Sequence, residues 1–424
     1  MKAKLFILSA LIIFLVSYSG AQVADSTLSL ENLVQEMLAN NPELQSYYHR
    51  WQSSASRISP AGSLPDPVIG IGVMNLPVDN FSFNQEPMTG KQISLMQQFP
   101  FPGKRGTRQK IAEKESERNR LNYLERQNQF IKDLKYTYFD LFYVDKALQT
   151  NQINQALLKQ TLQVVETRYR VGQGLQQDVI RTQLELSRLV DSQLKWEQER
   201  ISIQSRINFL LNREVNSPLG ETHSLTLIDF KINEEELDSL AINHNPTLLA
   251  WDTFLRQGEL QTRLAKKEYL PDFGLEIAYT QREILENGTG GVDFLSGMMN
   301  ISVPLYFWRK QKNEVEESRL NEVAIQERYR GELEMIRQQI AKTYSDVEKS
   351  KDRVQLYAKN IVPQARQSLQ SALSAYQVDK LEFINVIDNQ IGVIEYELEY
   401  YRLLSNYYKN LAELEFLVGT NLIE

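Results

Sequence analysis

The chain has no cysteine. Disulfides, zinc-thiolate sites, cysteine nucleophiles and a lipidated cysteine at a signal cleavage point are all excluded on that ground. A chain of 424 residues can bury enough apolar surface to do without cross-links. Histidine is nearly as scarce. His49, His223 and His244 are scattered with no His-x-x-x-His pair, and neither a phosphate loop nor a nucleophile elbow is present. The run Glu234-Glu235-Glu236 sits at a helix start, where acidic groups complement the helix dipole and need no chemistry. The eight methionines form no sequence cluster suited to soft metal ions. The expectation is a protein that is not an enzyme and holds neither a cofactor nor a metal.

Long apolar runs are also missing beyond residue 21. If the mature protein crosses a bilayer it must do so with strands, because only helices and closed barrels satisfy every backbone polar group in lipid. The first residues read as an export signal: a basic start at Lys2 and Lys4, an apolar stretch from Leu5 to Val16, and the small residues Ser19-Gly20-Ala21 before a cut at Gln22. Losing the two lysines moves the net charge from −7 to −9, an acidic balance that argues against a nucleic-acid partner.

What the chain does have is an internal repeat. Asn40-Asn41-Pro42-Glu43-Leu44 matches His244-Asn245-Pro246-Thr247-Leu248, and Leu64-Pro65-Asp66 matches Leu270-Pro271-Asp272. Pro100 with Lys104-Arg105 matches Pro304 with Arg309-Lys310, and Tyr169-Arg170-Val171 with Asp178-Val179-Ile180 matches Tyr376-Gln377-Val378 with Asn385-Val386-Ile387. The offset drifts only from 204 to 207 positions, as small loop insertions would cause. The organisation expected is a signal at 1–21, a first repeat at 22–215, a turn-rich linker at 216–232 and a second repeat at 233–424.

Each repeat reads as helix, strand, strand, long helix, helix. The first helix is expected over Glu31–Ile58 with Ser29 as its N-cap, and its counterpart over Glu234–Tyr269. Strands are expected where apolar residues fall on alternate positions: Ile69, Ile71 and Val73; Ile93, Leu95 and Phe99; Phe273, Leu275, Ile277 and Tyr279; Met299, Ile301 and Val303. An ordinary soluble sheet with one wet face has the same period. Four strands cannot close a barrel, whereas three copies supply about twelve, within the range of closed membrane barrels.

Lys104 to Tyr169 has no proline and no glycine after Gly106, so it reads as a helix on the order of 100 Å long. It reverses at Val171-Gly172-Gln173-Gly174 and returns from Gln176 to Leu211. The second half repeats this from Trp308, with a kink or break expected at Pro363 and a turn at Val378-Asp379-Lys380. Ile384, Ile387, Ile391, Ile394, Leu398 and Tyr401 then space as a coiled-coil seam. Tyr396, Tyr400, Tyr401, Tyr407 and Tyr408 read as helix packing.

Strand pairs between long helices, twice over, with Tyr169-Arg170-Val171-Gly172 and Tyr376-Gln377-Val378 at the turns, resemble the TolC-like outer-membrane efflux family from Leu30 to Asn421. The resemblance implies a mainly α fold with a membrane β-barrel, four strands per chain in a trimeric twelve-stranded barrel and long hairpins forming a periplasmic tunnel. It also implies a homotrimer in outer-membrane lipid that docks onto a periplasmic adaptor, the membrane fusion protein, and an inner-membrane pump.

In that family the first hairpin turn carries Val-Gly followed by Asp-Val and contacts the adaptor, which implies a docking turn at Val171, Gly172, Gly174 and Asp178. At the second turn the family places a tyrosine and two aspartates at a constricted mouth. These fall on Tyr376, Asn385 and Asp388, with asparagine in place of the first aspartate, and Asp379 stands where the family often has glycine. The implied gate is Tyr376, Asp379, Asn385 and Asp388. The function expected is a passive outer-membrane exit duct for small molecules or metal cations. The alternatives are a soluble periplasmic coiled-coil scaffold and an outlet for secreted polypeptides.

Overall fold

The computed structural model describes residues 28–422, so the export signal expected at 1–21 lies outside the described residues. Ser29 caps the first helix as expected, its hydroxyl accepting from the Asn32 amide. The single helix expected over Glu31–Ile58 is instead three: α1 (Leu30–Asn40), α2 (Pro42–Ser56) and the short α3 (Ile58–Gly62). Asn41-Pro42 makes the main break. A proline pushes the residue before it out of the helical region, and Asn41 sits at φ −68°, ψ 118° while Pro42 opens the next helix. The second half needs the same correction, because the helix expected over Glu234–Tyr269 is α6 (Glu234–His244) and α7 (Pro246–Lys267), parted at Asn245-Pro246.

All four alternating segments are strands: β1 (Val68–Met74), β2 (Gly90–Phe99), β3 (Asp272–Gln281) and β4 (Phe294–Ser302). They form one antiparallel sheet in the order β1-β2-β3-β4, and among the described residues the outer edges of β1 and β4 have no strand partner. The register puts odd-numbered residues on one face. Ile71, Ile93, Tyr279 and Leu295 share a row, and Ile69, Leu95 and Ile277 the next. This apolar face is bare, with Ile71 84 % exposed. The other face carries rows such as Gly70, Ser94, Ala278 and Ser296, or Val68, Met96, Glu276 and Met298. The second of these rows sets a carboxylate between two thioethers, a grouping invisible in the linear order of the methionines.

Below the sheet stand the long helices. α4 (Lys104–Arg170) runs unbroken for 67 residues, about 100 Å at 1.5 Å per residue, and α5 (Gln176–Leu210) returns beside it. The matching helix of the second half, expected from Trp308, starts at Gln311 because the preceding residues form turns. It comprises α8 (Gln311–Leu356), a π-helical turn (Tyr357–Ile361) and α9 (Val362–Gln377). Pro363 lacks an amide and its ring crowds the carbonyl four residues back, and the widened turn before it absorbs that conflict. The helix is therefore interrupted at the expected place, and the form is a π-bulge. Finally α10 (Phe383–Val418) ends on Gly419 at φ +78°, where an added Cβ would lie 2.4 Å from the His244 carbonyl.

The main core lies where α4, α5 and α10 meet, with Leu134, Tyr138 and Phe142 against Ile207, Leu404 and Leu411. The buried stripe of α10 runs through Phe383, Val386, Ile387, Gln390 and Val393. The expected seam shares only Ile387 with it, because α10 packs on several helices and a two-stranded coiled-coil spacing selects too narrow a face. Tyr407 and Tyr408 are core residues whose hydroxyls donate to Ile228 O at 2.7 Å and Thr226 O at 2.5 Å, pinning the segment between the halves. Burial pushes the Tyr408 hydroxyl up to about 12. A second, smaller core at the far end joins Leu158 and Val165 to Ala372, Tyr376 and Phe383.

Candidate functional site

The two hairpin turns come together at the end farthest from the sheet. In the first, α4 ends at Arg170, Gly172 takes φ +76° in open space, and Val171 and Leu175 project their side chains into solvent. In the second, Asp379 takes the same left-handed conformation, φ +59°, at the position matching Gly172. Aspartate tolerates that region better than most side chains, so the replacement keeps the backbone path. Gly174 packs closely on the end of α4, since a Cβ there would lie 3.2 Å from the Tyr169 amide nitrogen.

Arg168 ties the turns together. Its Nη1 donates to the Tyr376 carbonyl at 3.0 Å, its Nη2 pairs with the Asp379 carboxylate, and its guanidinium lies 4.7 Å from the centre of the Tyr376 ring. One turn farther from the tip, Arg181 Nη2 pairs with Asp388 Oδ1 at 3.0 Å. Deeper still, the buried Gln390 amide donates to Asn154 Oδ1 at 2.6 Å. Burial raises the Tyr376 hydroxyl, with Arg168 acting the other way. Asp178, in the first turn of α5, is also held above the ordinary carboxylate range, mainly by burial and further by Glu382, against the pull of Arg168.

The structure thus brings Tyr376, Asp379 and Asp388 against the first hairpin. Asn385 is not part of that contact: its amide reaches only the Glu382 carbonyl, at 3.5 Å. Sequence reasoning missed Arg168, Arg181, Asn154 and Gln390. A signal existed for the outer pair, since Arg181 and Asp388 are 207 positions apart, equivalent positions of the repeat carrying opposite charges.

At the other end, where sheet meets helices, Lys104 is 1 % exposed and reaches three oxygens: Glu268 Oε2 at 2.9 Å, Asp272 Oδ1 at 2.9 Å and Leu270 O at 3.0 Å. The Phe101 amide donates to the same Asp272 oxygen at 2.7 Å. Burial of an ammonium is tolerable when it is paired and fully hydrogen-bonded, as here. These contacts join the first half to the second. On the second half the exposed aromatics Tyr306, Phe307 and Trp308 gather beside the sheet, where amphipathic rings suit a lipid–water boundary.

No described helix is long and apolar enough to cross a membrane. No curated protein sequence matches the chain. Among solved structures it is similar to the outer membrane protein VceC of Vibrio cholerae, at 16 % identity over 93 % of this chain and 97 % of that one, with a TM-score of 0.77. It is similar also to the outer membrane channel MtrE of Neisseria gonorrhoeae in its open state, at 14 % identity, 93 % and 89 % coverage and a TM-score of 0.77. The outer membrane channel CmeC of Campylobacter jejuni gives 14 % identity, 100 % and 95 % coverage and a TM-score of 0.72. At such identities the likeness is one of fold. The family model described as outer membrane efflux protein matches residues 33–213 and 237–420, one stretch in each half. By that match over most of its length, the chain belongs to the outer membrane efflux protein family.

Proposed function

We propose that three copies of this chain form one outer-membrane barrel continued by a helical tunnel, and that the assembly is the passive exit duct of a tripartite pump. The observation that carries the reading is the four-stranded sheet: a bare apolar face, an opposite face on which small and polar residues mix with methionines, and two open edges, mounted on helices about 100 Å long. Open edges in lipid leave amides unpaired, and closing them requires further copies. The motive energy comes from an inner-membrane partner reached through a periplasmic adaptor.

Val171, Gly172, Gly174 and Asp178 suit docking to that adaptor, because a tip with exposed apolar side chains and an unobstructed glycine backbone offers both apolar contact and hydrogen-bonding groups. Tyr376, Asp379 and Asp388 hold the mouth, with Arg168 and Arg181 as their counterparts; Asn385 supplies no cross-hairpin contact in this state. Gating is then shared by both hairpins, and docking at the first turn can loosen the contacts of Arg168. Small molecules or metal cations are the cargo. The cationic branch draws support from Glu276 flanked by Met96 and Met298 on the lumen-side face, since carboxylate and thioether oxygens and sulfurs suit cations.

The test is fractionation and mass. The mature protein should partition with outer membranes, need detergent for solubility and run at three chain masses, and its deletion should sensitise cells to specific drugs or metal salts. A mature protein that is monomeric and soluble without detergent would sink the proposal in favour of a periplasmic scaffold.

A further inference from the structure

The repeat makes the joint between the two halves of one chain a template for the joint between chains. Shifting β1 by 206 positions and β2 by 204, the offsets of the Leu-Pro-Asp and Pro100 anchors, turns the observed pair Ile69↔Leu95 into Leu275↔Met299. That is an observed pair of β3 and β4. The two hairpins are therefore superposable residue by residue, and the same offsets can be applied to the joint that only one chain displays, β2 against β3.

We infer that β4 pairs with β1 of the partner subunit in the register that this shift dictates, and that the open joint is clamped at its base by Arg309 or Lys310 on Asp66 of the partner subunit. This rests on the multi-copy barrel proposed above. The observed pairs Gln97↔Leu275 and Leu95↔Ile277 become Ile301 opposite the partner's Ile69 and Met299 opposite the partner's Ile71. All four side chains lie on the apolar face, so the lipid-facing band continues across the joint without a slip in parity. On the opposite face Asn300 meets the partner's Gly70 and Met298 the partner's Gly72.

The clamp follows from the same mapping. Within the chain Lys104 holds Asp272, and the anchors that match them are the Arg309-Lys310 pair and Asp66. Asp66, Arg309 and Lys310 are all exposed and make no ion pair among the described residues, as expected for a joint whose second side is on another copy. The helices carry an independent sign of the same partner. Ile387 of α10 is 1 % exposed, covered within the chain, whereas its repeat counterpart Ile180 of α5 is 56 % exposed. Leu184 and Ile201 of α5 are bare in the same way, and in the mapping α8 and α9 of a neighbouring copy cover them. The contact is heterologous, β4 edge to β1 edge, the type that builds a ring when the rotation per copy closes.

The absence of cysteine gives a clean background for a cross-linking test in the full-length protein in outer membranes. The pair Ile69→Cys with Ile301→Cys is oxidised beside its in-chain template, Gln97→Cys with Leu275→Cys, and beside two-residue slips in which Met299→Cys or Val303→Cys replaces the change at Ile301. The template should close within the chain. The Ile69/Ile301 pair should give covalent dimers and trimers at least ten times faster than either slip. Faster closure by a slipped pair, or no closure at Ile69/Ile301 in a protein that remains trimeric and whose template pair closes, overturns the register and leaves the barrel reading intact. A protein monomeric by mass with no inter-chain product overturns both. For the clamp, Asp66→Lys should lower the temperature at which trimers dissociate, and adding Arg309→Glu and Lys310→Glu should restore it; an unchanged dissociation temperature in Asp66→Lys refutes the clamp.

Discussion

Asn41 and Asn245 make the same two hydrogen bonds in the two halves of the chain. Each side-chain oxygen caps the helix that follows, accepting from Leu44 N at 3.1 Å or Leu248 N at 3.0 Å. Each side-chain amide donates to the end of the last helix of its own half, at Leu210 O, 3.0 Å, or Leu417 O, 2.8 Å. Asn41→Ala loses a cap worth about 1 kcal/mol and strands a buried carbonyl at a cost of about 1–3 kcal/mol. Asn41→Ser keeps an oxygen for the cap but cannot span to Leu210, so it should recover only the cap. The effects of Asn41→Ala and Asn245→Ala should add, since the sites share no partner. Thermal melts of the detergent-solubilised protein measure all of these, and strong non-additivity would show that the two halves are not independent at these points.

The Asn-Pro pairs also show how far the sequence could be read. They were plain as repeat anchors, yet the helical periodicity runs on across them and conceals a break that only the conformational restriction before Pro42 and Pro246 produces. Strands were legible because a period of two over seven to ten residues is a local property, and the first turn because Gly172 marks a reversal on its own. The pairing of Arg168 with Tyr376 was not legible. It joins residues 208 positions apart and depends on the length and rotation of four helices, which no local pattern encodes. The row Met96, Glu276, Met298 was hidden for the same reason, being a product of strand register alone.

Removing the contacts of Arg168 should open the mouth more than removing the outer ion pair does. Arg168 is mostly sheltered and makes three kinds of contact, whereas the Arg181–Asp388 pair is more exposed and is worth roughly 0–1 kcal/mol. In planar bilayers Arg168→Ala should raise single-channel conductance severalfold and Asp388→Asn only slightly. Raising ionic strength should abolish the difference between wild type and Asp388→Asn while leaving Arg168→Ala distinct. Equal conductance of Arg168→Ala and wild type at all salt concentrations would remove Arg168 from the gate.

The two faces of the sheet should respond oppositely to charge. Lysine at Ile277, on the apolar face, should destabilise the folded barrel by about 2–4 kcal/mol if it lies near the midplane. Lysine at Ser296, exposed on the opposite face in the row of Ala278, should assemble but change ion selectivity towards anions. Heat-modified mobility on gels reads the first and reversal potentials in a salt gradient read the second. Equal assembly defects for the two variants would contradict the assignment of faces.

Acid should favour the interface between α4 and α7. Glu125 is half-buried there beside Trp251 and Phe254, and burial raises its carboxyl above the ordinary value of 4.5 despite Arg126 and Lys132. A carboxyl whose folded-state value is raised favours the folded state while protonated, and that contribution is complete below the unfolded value and lost as pH rises through the folded one. Glu125→Gln cannot ionise and should keep the contribution at every pH. Its melting temperature should therefore exceed that of the wild type at pH 8, and the gap should narrow on acidification and close near pH 4. A gap that is constant from pH 4 to pH 8 would mean that packing, and not ionisation, distinguishes the two side chains.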